Sequence, residues 1–263
     1  MPNLAPASVP GETTTLAPPR ASVVVPTLDE EKTLAAVLAP LRAAAGRLGL
    51  EVIVSDGGST DGTLALALGL ADHVVVHRGP ARQTIAAGRN AGARHASAEV
   101  LLFFNADVTF PADLDGFLGE LIEAATAYGA ATCRVAVHPD AARLDDRVVL
   151  GVCNAIFWTW NQVRLGMGRG ECHAVRRDVF EAVGGYDEAL VAGEDFDLYR
   201  RIARRARREG GPKIRFLWHR VLYEDPRRYR KKGYARTMLD WFRNTVYVTF
   251  RGRSYSTDWE AIR

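Results

Sequence analysis

Two groups of acidic residues carry the chemical signal in this chain. The first ends the apolar run Leu101-Leu102-Phe103-Phe104 with Asn105, Ala106 and Asp107, and Pro111 follows soon after. A run without polar alternation is the pattern of a parallel strand covered on both faces. Its polar residues then fall at the carboxyl end of a central strand, where open α/β sheets bind their ligands. A carboxylate there suits a hard divalent cation, which takes oxygen ligands and commonly uses one or two protein carboxylates beside phosphate oxygens. Taken alone, Asp107 favours a plainer reading, an acid that ends a strand and caps the next turn. The second group is Glu194, Asp195 and Asp197, which follow Gly193 at the head of a segment with helical period. An acidic helix start is favoured by the helix dipole. That explains one acid well and a run of three less readily. Asp56, before Gly57 and Gly58, reads about equally as a ligand-binding acid and as a turn aspartate.

Positioning these residues requires alternating strands and helices. Residues 21–27 (ASVVVPT) form a β-branched run, and residues 30–49 repeat Leu34, Val37, Leu38 and Leu41 at helical spacing, with Pro40 placed to kink the helix. Residues 51–63 form a second strand running into a Gly-rich turn, Asp61 caps the next helix, a third strand spans 73–77 and a helix spans 82–96. Repeated βα units of this size predict a mostly parallel, doubly wound sheet. After the central strand come a helix at 112–127, a strand at 130–137, an aromatic-rich segment at 150–162 read as core or acceptor-cleft lining, and a helix over 193–210. That last helix puts Phe196, Tyr199, Ile202, Ala203 and Ala206 on one face and arginines on the other. GMGRG (166–170) lacks the spacing and strand-turn-helix setting of a dinucleotide fingerprint and is rejected as one.

With 263 residues the chain is long enough to bury a full core. Its 34 basic and 31 acidic residues nearly balance, so any basic surface is local. Cys133, Cys153 and Cys172 are scattered and odd in number, which fits free thiols in a reducing compartment, the cytoplasm by default. Residues 1–19, rich in Pro, Ser and Thr, read as a disordered leader without signal-peptide character. No stretch reaches the ~18 apolar residues of a membrane span, so a soluble or peripheral protein is expected.

The series VVVPTLDEE (23–31), VSDGGSTDGT (54–63), GRNAGARHA (88–96), FFNADV (103–108) and GGYDEALVAGEDFDLYRRI (184–202) resembles the inverting glycosyltransferases of family 2, in that family's order and spacing. The resemblance covers about 20 to 230 and implies the GT-A (Rossmann-like) fold, a mostly parallel sheet flanked by helices. It implies transfer of a sugar from a nucleotide-diphosphate donor to an acceptor hydroxyl or lipid phosphate, with inversion and with Mg²⁺ or Mn²⁺. Pro26, Thr27, Glu30 and Asp56 would then hold the donor, Asp56 by accepting a hydrogen bond from the base. Arg82, and Arg89 with Asn90, would flank the donor site, although a solvated helix face is a serious rival for Arg89. Asn105 and Ala106 would line the donor site, and Asp107 would contact the metal. Asp195 would be the general base, with Glu194 orienting the acceptor; the rival is an acidic cap on an arginine-rich helix.

Two departures qualify these expectations. Asn105 stands where the family often has the first acid of Asp-X-Asp, which removes a charge and weakens metal affinity. YEDPRRYRKKGY (223–234) is a degenerate form of the Gln-X-X-Arg-Trp element of processive members, with Asp225, Arg228 and Tyr229 in those places. Arg228 would pair with the diphosphate and Tyr229 would stack on the acceptor, and single-sugar transfer is favoured over polymerisation. His219, between two short strands, is read as packed, with metal ligation the minority alternative. The expected organisation is the leader, a catalytic domain over 20–225 and a basic, amphipathic helical segment over 226–263. In the last, Leu239, Phe242, Val246 and Phe250 form a stripe widened by Met238, Trp241 and Val248. Packing on the chain's own core or in a homodimer is the favoured reading, and a membrane interface through 236–253 is the alternative. The partners expected are a nucleotide sugar and a glycan, small-molecule or lipid acceptor. A nucleic acid is not expected, because the 200–208 arginine run is the polar face of a helix without interleaved aromatics. A nucleotide-sugar binding protein without turnover is the alternative function.

Overall fold

The computed structural model describes residues 18–256; most of the expected leader and residues 257–263 lie outside that range. In chain order the elements are β1 (Ala21–Thr27), α1 (Leu34–Leu48), β2 (Leu50–Asp56), α2 (Thr63–Leu70), β3 (His73–Val76), α3 (Ile85–His95), β4 (Val100–Phe104) and α4 (Leu114–Tyr128). There follow β5 (Ala130–Val137), α5 (Leu144–Gln162), β6 (Cys172–Arg176), α6 (Arg177–Ala182), α7 (Glu194–Arg208), β7 (Arg215–Glu224), α8 (Arg227–Lys232) and α9 (Tyr234–Arg251). α1 runs on through Pro40.

The seven strands form one sheet in the order β3-β2-β1-β4-β6-β5-β7. Every neighbouring pair is parallel except those made by β6, which lies antiparallel to both β4 and β5. This is the expected mostly parallel α/β sheet of the GT-A type, with one reversed strand beside the centre.

The period of two along each strand sorts its side chains onto two cores. Val23, Val25, Leu102 and Phe104 face α1 and α4 with Leu38, Leu41, Phe117 and Leu121. Val24, Leu101 and Phe103 face α3 and α7 with Ala93, Leu198, Tyr199 and Ile202. Each large apolar side chain so buried contributes roughly 1.5–3 kcal/mol of transfer free energy, so β1 and β4 are fixed from both sides. α3 lies very close to the sheet: a Cβ on Gly92 would stand 2.4 Å from Val24 Cγ1. That approach brings the preceding turn of α3, with Arg89, down to the strand ends.

The segment at 150–162 lies in helix α5, and its Cys153, Ile156, Phe157 and Trp160 line the cavity at the strand ends, as expected of cleft lining. Two expectations are corrected here. His219 is neither packed nor a ligand of the site: β7 carries it, exposed, against Glu120 Oε2 at 2.5 Å. The stripe on α9 packs on the chain's own core only through Met238, Trp241 and Val248. The helix buries Thr237, Asn244 and Val248, half-buries Met238 and Trp241 against Leu150 and Tyr229, and leaves Leu239, Phe242 and Phe250 outside. Among the described residues no helix is long and apolar enough to cross a membrane.

Candidate functional site

The carboxyl ends of β1, β2 and β4 open into a cavity of about 730 Å³, closed opposite by the start of α7 and by α5, α8 and α9. Pro26, Thr27 and Glu30 line it after β1, Arg82 before α3, and Asn105, Ala106 and Asp107 after β4. Glu194 and Asp195 line it at the head of α7, and Arg228 at the start of α8. Asp107 and Asp195, one at a strand tip and one heading a later helix, therefore face the same space.

Asp56 is different. It is fully buried, and Ser55 and Gly57 form the wall beside it. Its Oδ2 accepts from the Gly58 and Ser59 N–H groups at 3.0 and 2.9 Å, and its Oδ1 accepts from the Ser59 and Thr27 hydroxyls at 2.5 and 3.2 Å. The turn reading thus accounts for both oxygens, and Asp56 shapes the wall from behind.

A buried arginine joins the two acidic groups. Arg89 is 1% exposed. Its Nη1 donates to Glu194 Oε1 at 2.9 Å, and its Nη2 donates to Asn105 Oδ1 at 2.9 Å and to the Gly170 carbonyl at 2.7 Å. The planar fork of a guanidinium suits such multiple contacts. The solvated-face reading of Arg89 is therefore corrected: three segments of the cavity wall meet on one side chain. The N–H of the same Gly170 donates to Asp195 Oδ2 at 3.0 Å, while the Phe196 N–H donates to Oδ1 at 2.8 Å.

Asp195 is thus held by two backbone N–H groups. Burial, helped by the neighbouring Glu194 charge, pushes its carboxyl up to about 7 against the opposing pull of the Phe196 N–H and Arg89. A helix start alone lowers a carboxylate's pKa; here desolvation outweighs it.

At the strand tip, Asp107 Oδ2 accepts from Arg227 Nη2 at 3.3 Å. Burial raises the Asp107 carboxyl above its ordinary range; Arg227 opposes this, and Glu171 and Asp225 add to the rise. Asp107 is a half-buried carboxylate on the cavity wall with the Asn105 amide oxygen beside it, and such oxygen donors fit a hard cation. Among the described residues no group of three or more His, Cys, Asp or Glu side chains forms a closed metal cage, so a cation here would share its ligands with the oxygens of a bound phosphate.

Two features were missed by sequence reasoning. GMGRG, set aside as a nucleotide motif, belongs to the wall: a Cβ on Gly166 would lie 2.3 Å from the Tyr199 carbonyl, with φ at +82°, so only glycine lets the loop settle on α7. Arg169 in that loop is buried, binds Glu224 at 2.8 Å and Glu171 at 3.1 Å, and stacks 5.2 Å over Trp241. Tyr229 donates to Glu224 Oε1 at 2.8 Å and stacks on Tyr234 at 4.4 Å between centroids. It braces α8 while lining the cavity.

Residues 22–184 match the model of glycosyl transferase family 2, and the chain belongs to that family. It is similar to the succinoglycan biosynthesis protein ExoA of Rhizobium meliloti (strain 1021), 29% identical over 207 residues, which are 69% of this chain and 57% of that protein. The chain thus spans little more than half the length of that relative. Among solved structures it resembles glucosyl-3-phosphoglycerate synthase from Mycobacterium tuberculosis in complex with phosphoglyceric acid, with a TM-score of 0.60 and 19% identity over 90% of this chain and 81% of that one. It also resembles the mannosyltransferase PcManGT from Pyrobaculum calidifontis in complex with GDP-Man and Mn²⁺, with a TM-score of 0.57 and 22% identity over 79% of this chain and 57% of that one. At these identities the two structures establish the shared fold.

Proposed function

We propose that this protein is a family 2 glycosyltransferase that moves one sugar from a nucleotide-diphosphate donor to an acceptor hydroxyl or phosphate, with inversion at the anomeric carbon. What supports this reading above all is the joint opening of Asp107 and Asp195 onto one cavity, with Asp195 set by backbone N–H groups and pushed up to about 7. A base should have a pKa near the working pH and lie within hydrogen-bond reach of the proton it removes. Asp195 takes the acceptor proton as the acceptor oxygen attacks the anomeric carbon. The carbon–oxygen bond to the diphosphate breaks on the opposite face. Glu194, fixed by Arg89, orients the acceptor, and Arg227 and Arg228 meet the departing diphosphate. Asp107, with Asn105 beside it, would hold Mg²⁺ or Mn²⁺, which supplies Lewis-acid neutralisation of the leaving group. Solved relatives bound to Mn²⁺ with GDP-Man or with UDP support that assignment.

The experiment is a screen of UDP-, GDP- and dTDP-sugars with Mn²⁺, reading thermal stabilisation and release of nucleoside diphosphate by the wild type and by Asp195→Asn. The expected result is stabilisation of both proteins by one donor and turnover only by the wild type. Stabilisation without turnover by the wild type identifies a nucleotide-sugar binding protein instead.

A further inference from the structure

The half of the cavity beyond Asp195 is apolar, lined by Ile156, Phe157, Trp160, Met238, Trp241 and Phe242 from α5 and α9. Two of these, Ile156 and Phe242, are also exposed on the outer surface, so the chamber's mouth is continuous with the protein exterior. The exterior there is apolar too. α5 turns Leu144, Val148, Val152 and Ile156, four residues apart, to one side, and α9 turns out Leu239, Phe242 and Phe250, the last 81% exposed. Residues three and four apart share one helix face. These are therefore two unpartnered stripes on helices that touch through Cys153 and Met238, 3.7 Å apart.

Charge decides what covers this face. The outward side of α9 interleaves its apolar stripe with exposed Arg236, Arg243 and Arg251 against that helix's one acid, Asp240, and at the start of α5 exposed Arg143 and Arg147 outnumber exposed Asp145. A homodimer pairing this surface with itself would bring like charges together. An anionic bilayer complements them and accepts the phenyl rings below its head groups, the arrangement of interfacial amphipathic helices. We propose that the α5–α9 face seats the protein on an anionic membrane, with the mouth of the apolar chamber against the lipid. The consequence, an acceptor held in that bilayer and entering the chamber head-first, rests on the transferase reading; the membrane seating itself does not.

The test is co-sedimentation of the full chain with vesicles of phosphatidylcholine and phosphatidylglycerol at 7:3 and with phosphatidylcholine alone, beside gel filtration without lipid. The variants are Leu239→Ser with Phe250→Ser, and Val148→Ser with Val152→Ser; none of the four lines the cavity. The wild type is expected to bind the anionic vesicles, less at high salt, and each double variant to bind at least about tenfold more weakly. Far-UV circular dichroism and the unliganded melting temperature serve as the check that each variant is folded. Three results overturn the proposal: wild type that ignores anionic vesicles, folded variants that bind as the wild type does, or a wild-type dimer that the substitutions turn into monomers. None of these bears on whether donor turnover occurs.

Discussion

Asp195→Asn separates the energetic state of one carboxylate from its chemical role. An aspartate ordinarily near 3.8 and held here at about 7 resists ionisation in the fold by on the order of 4 kcal/mol, at roughly 1.4 kcal/mol per pH unit. The folded pKa lies above the unfolded one. Between pH 4 and 7 the folded state therefore holds the proton more tightly, and Asp195's contribution to stability falls as pH rises through that window and levels off above it. Asparagine cannot ionise, but it carries one acceptor oxygen where the carboxylate offers two. One of the N–H groups of Gly170 and Phe196 loses its partner, at a cost of roughly 1–3 kcal/mol. The variant should be less stable than wild type at pH 5 and equal or more stable at pH 8. Across that interval the difference between the two should change by a few kcal/mol.

Urea denaturation of both proteins at pH 5, 6, 7 and 8 reads this directly. Transfer should fall by at least about 10²-fold in the variant at pH 8, the range of general-base contributions, and the gap should narrow toward pH 5, because wild-type transfer rises through pH 7 as Asp195 ionises. Parallel stability profiles for the two proteins would refute the reasoning on burial, and near-normal turnover by the variant would remove Asp195 as the base.

Arg89→Met should destabilise the fold by roughly 3–5 kcal/mol, since it leaves Glu194 buried without its partner; Arg89→Lys should recover only part of this, because an ammonium cannot span three acceptors, and urea midpoints compare the two. Asp107→Ala should keep the wild-type melting temperature without ligand but lose most of the extra stabilisation that Mn²⁺ adds to nucleotide-sugar binding, as calorimetry with and without chelator would show. His219→Ala should alter stability by under about 1 kcal/mol and leave metal dependence unchanged, because an exposed pair with Glu120 is all it loses; a changed metal requirement would return His219 to the site.

The sheet and the strand-tip acids were legible because they rest on local pattern. A run such as Leu101 to Phe104 has one physical explanation in a soluble domain, burial on both faces, and its polar end follows from chain direction. What escaped depends on contacts between segments far apart in sequence. Arg89 reads as a surface arginine until Gly92 brings α3 against Val24 and sinks the guanidinium between Asn105 and Glu194. The rise in the Asp195 pKa is likewise invisible from its helix position, since the loop that buries it comes from residues 166–170. The α9 stripe misled in the opposite sense. Its periodicity shows that the helix has an apolar side, but periodicity carries no information about which way that side is turned.

The distribution of charge partners gives the site its asymmetry. Glu194 is committed to Arg89, Glu224 and Glu171 share Arg169, and Asp107 leans on Arg227. A guanidinium, which stays charged at any accessible pH, opposes the burial cost at Asp107, Glu171 and Glu224 but outweighs it only at Glu171: Asp107 stays raised, and Glu224 is pushed up to about 8. Asp195 sits in the same cavity, is held by N–H dipoles, and is repelled by the adjacent Glu194. Arg89 therefore acts on Asp195 in two opposed ways. It attracts the Asp195 charge directly, and by keeping Glu194 in place it also maintains the repulsion that raises the proton affinity. A base that must capture a proton near neutral pH gains from the second effect.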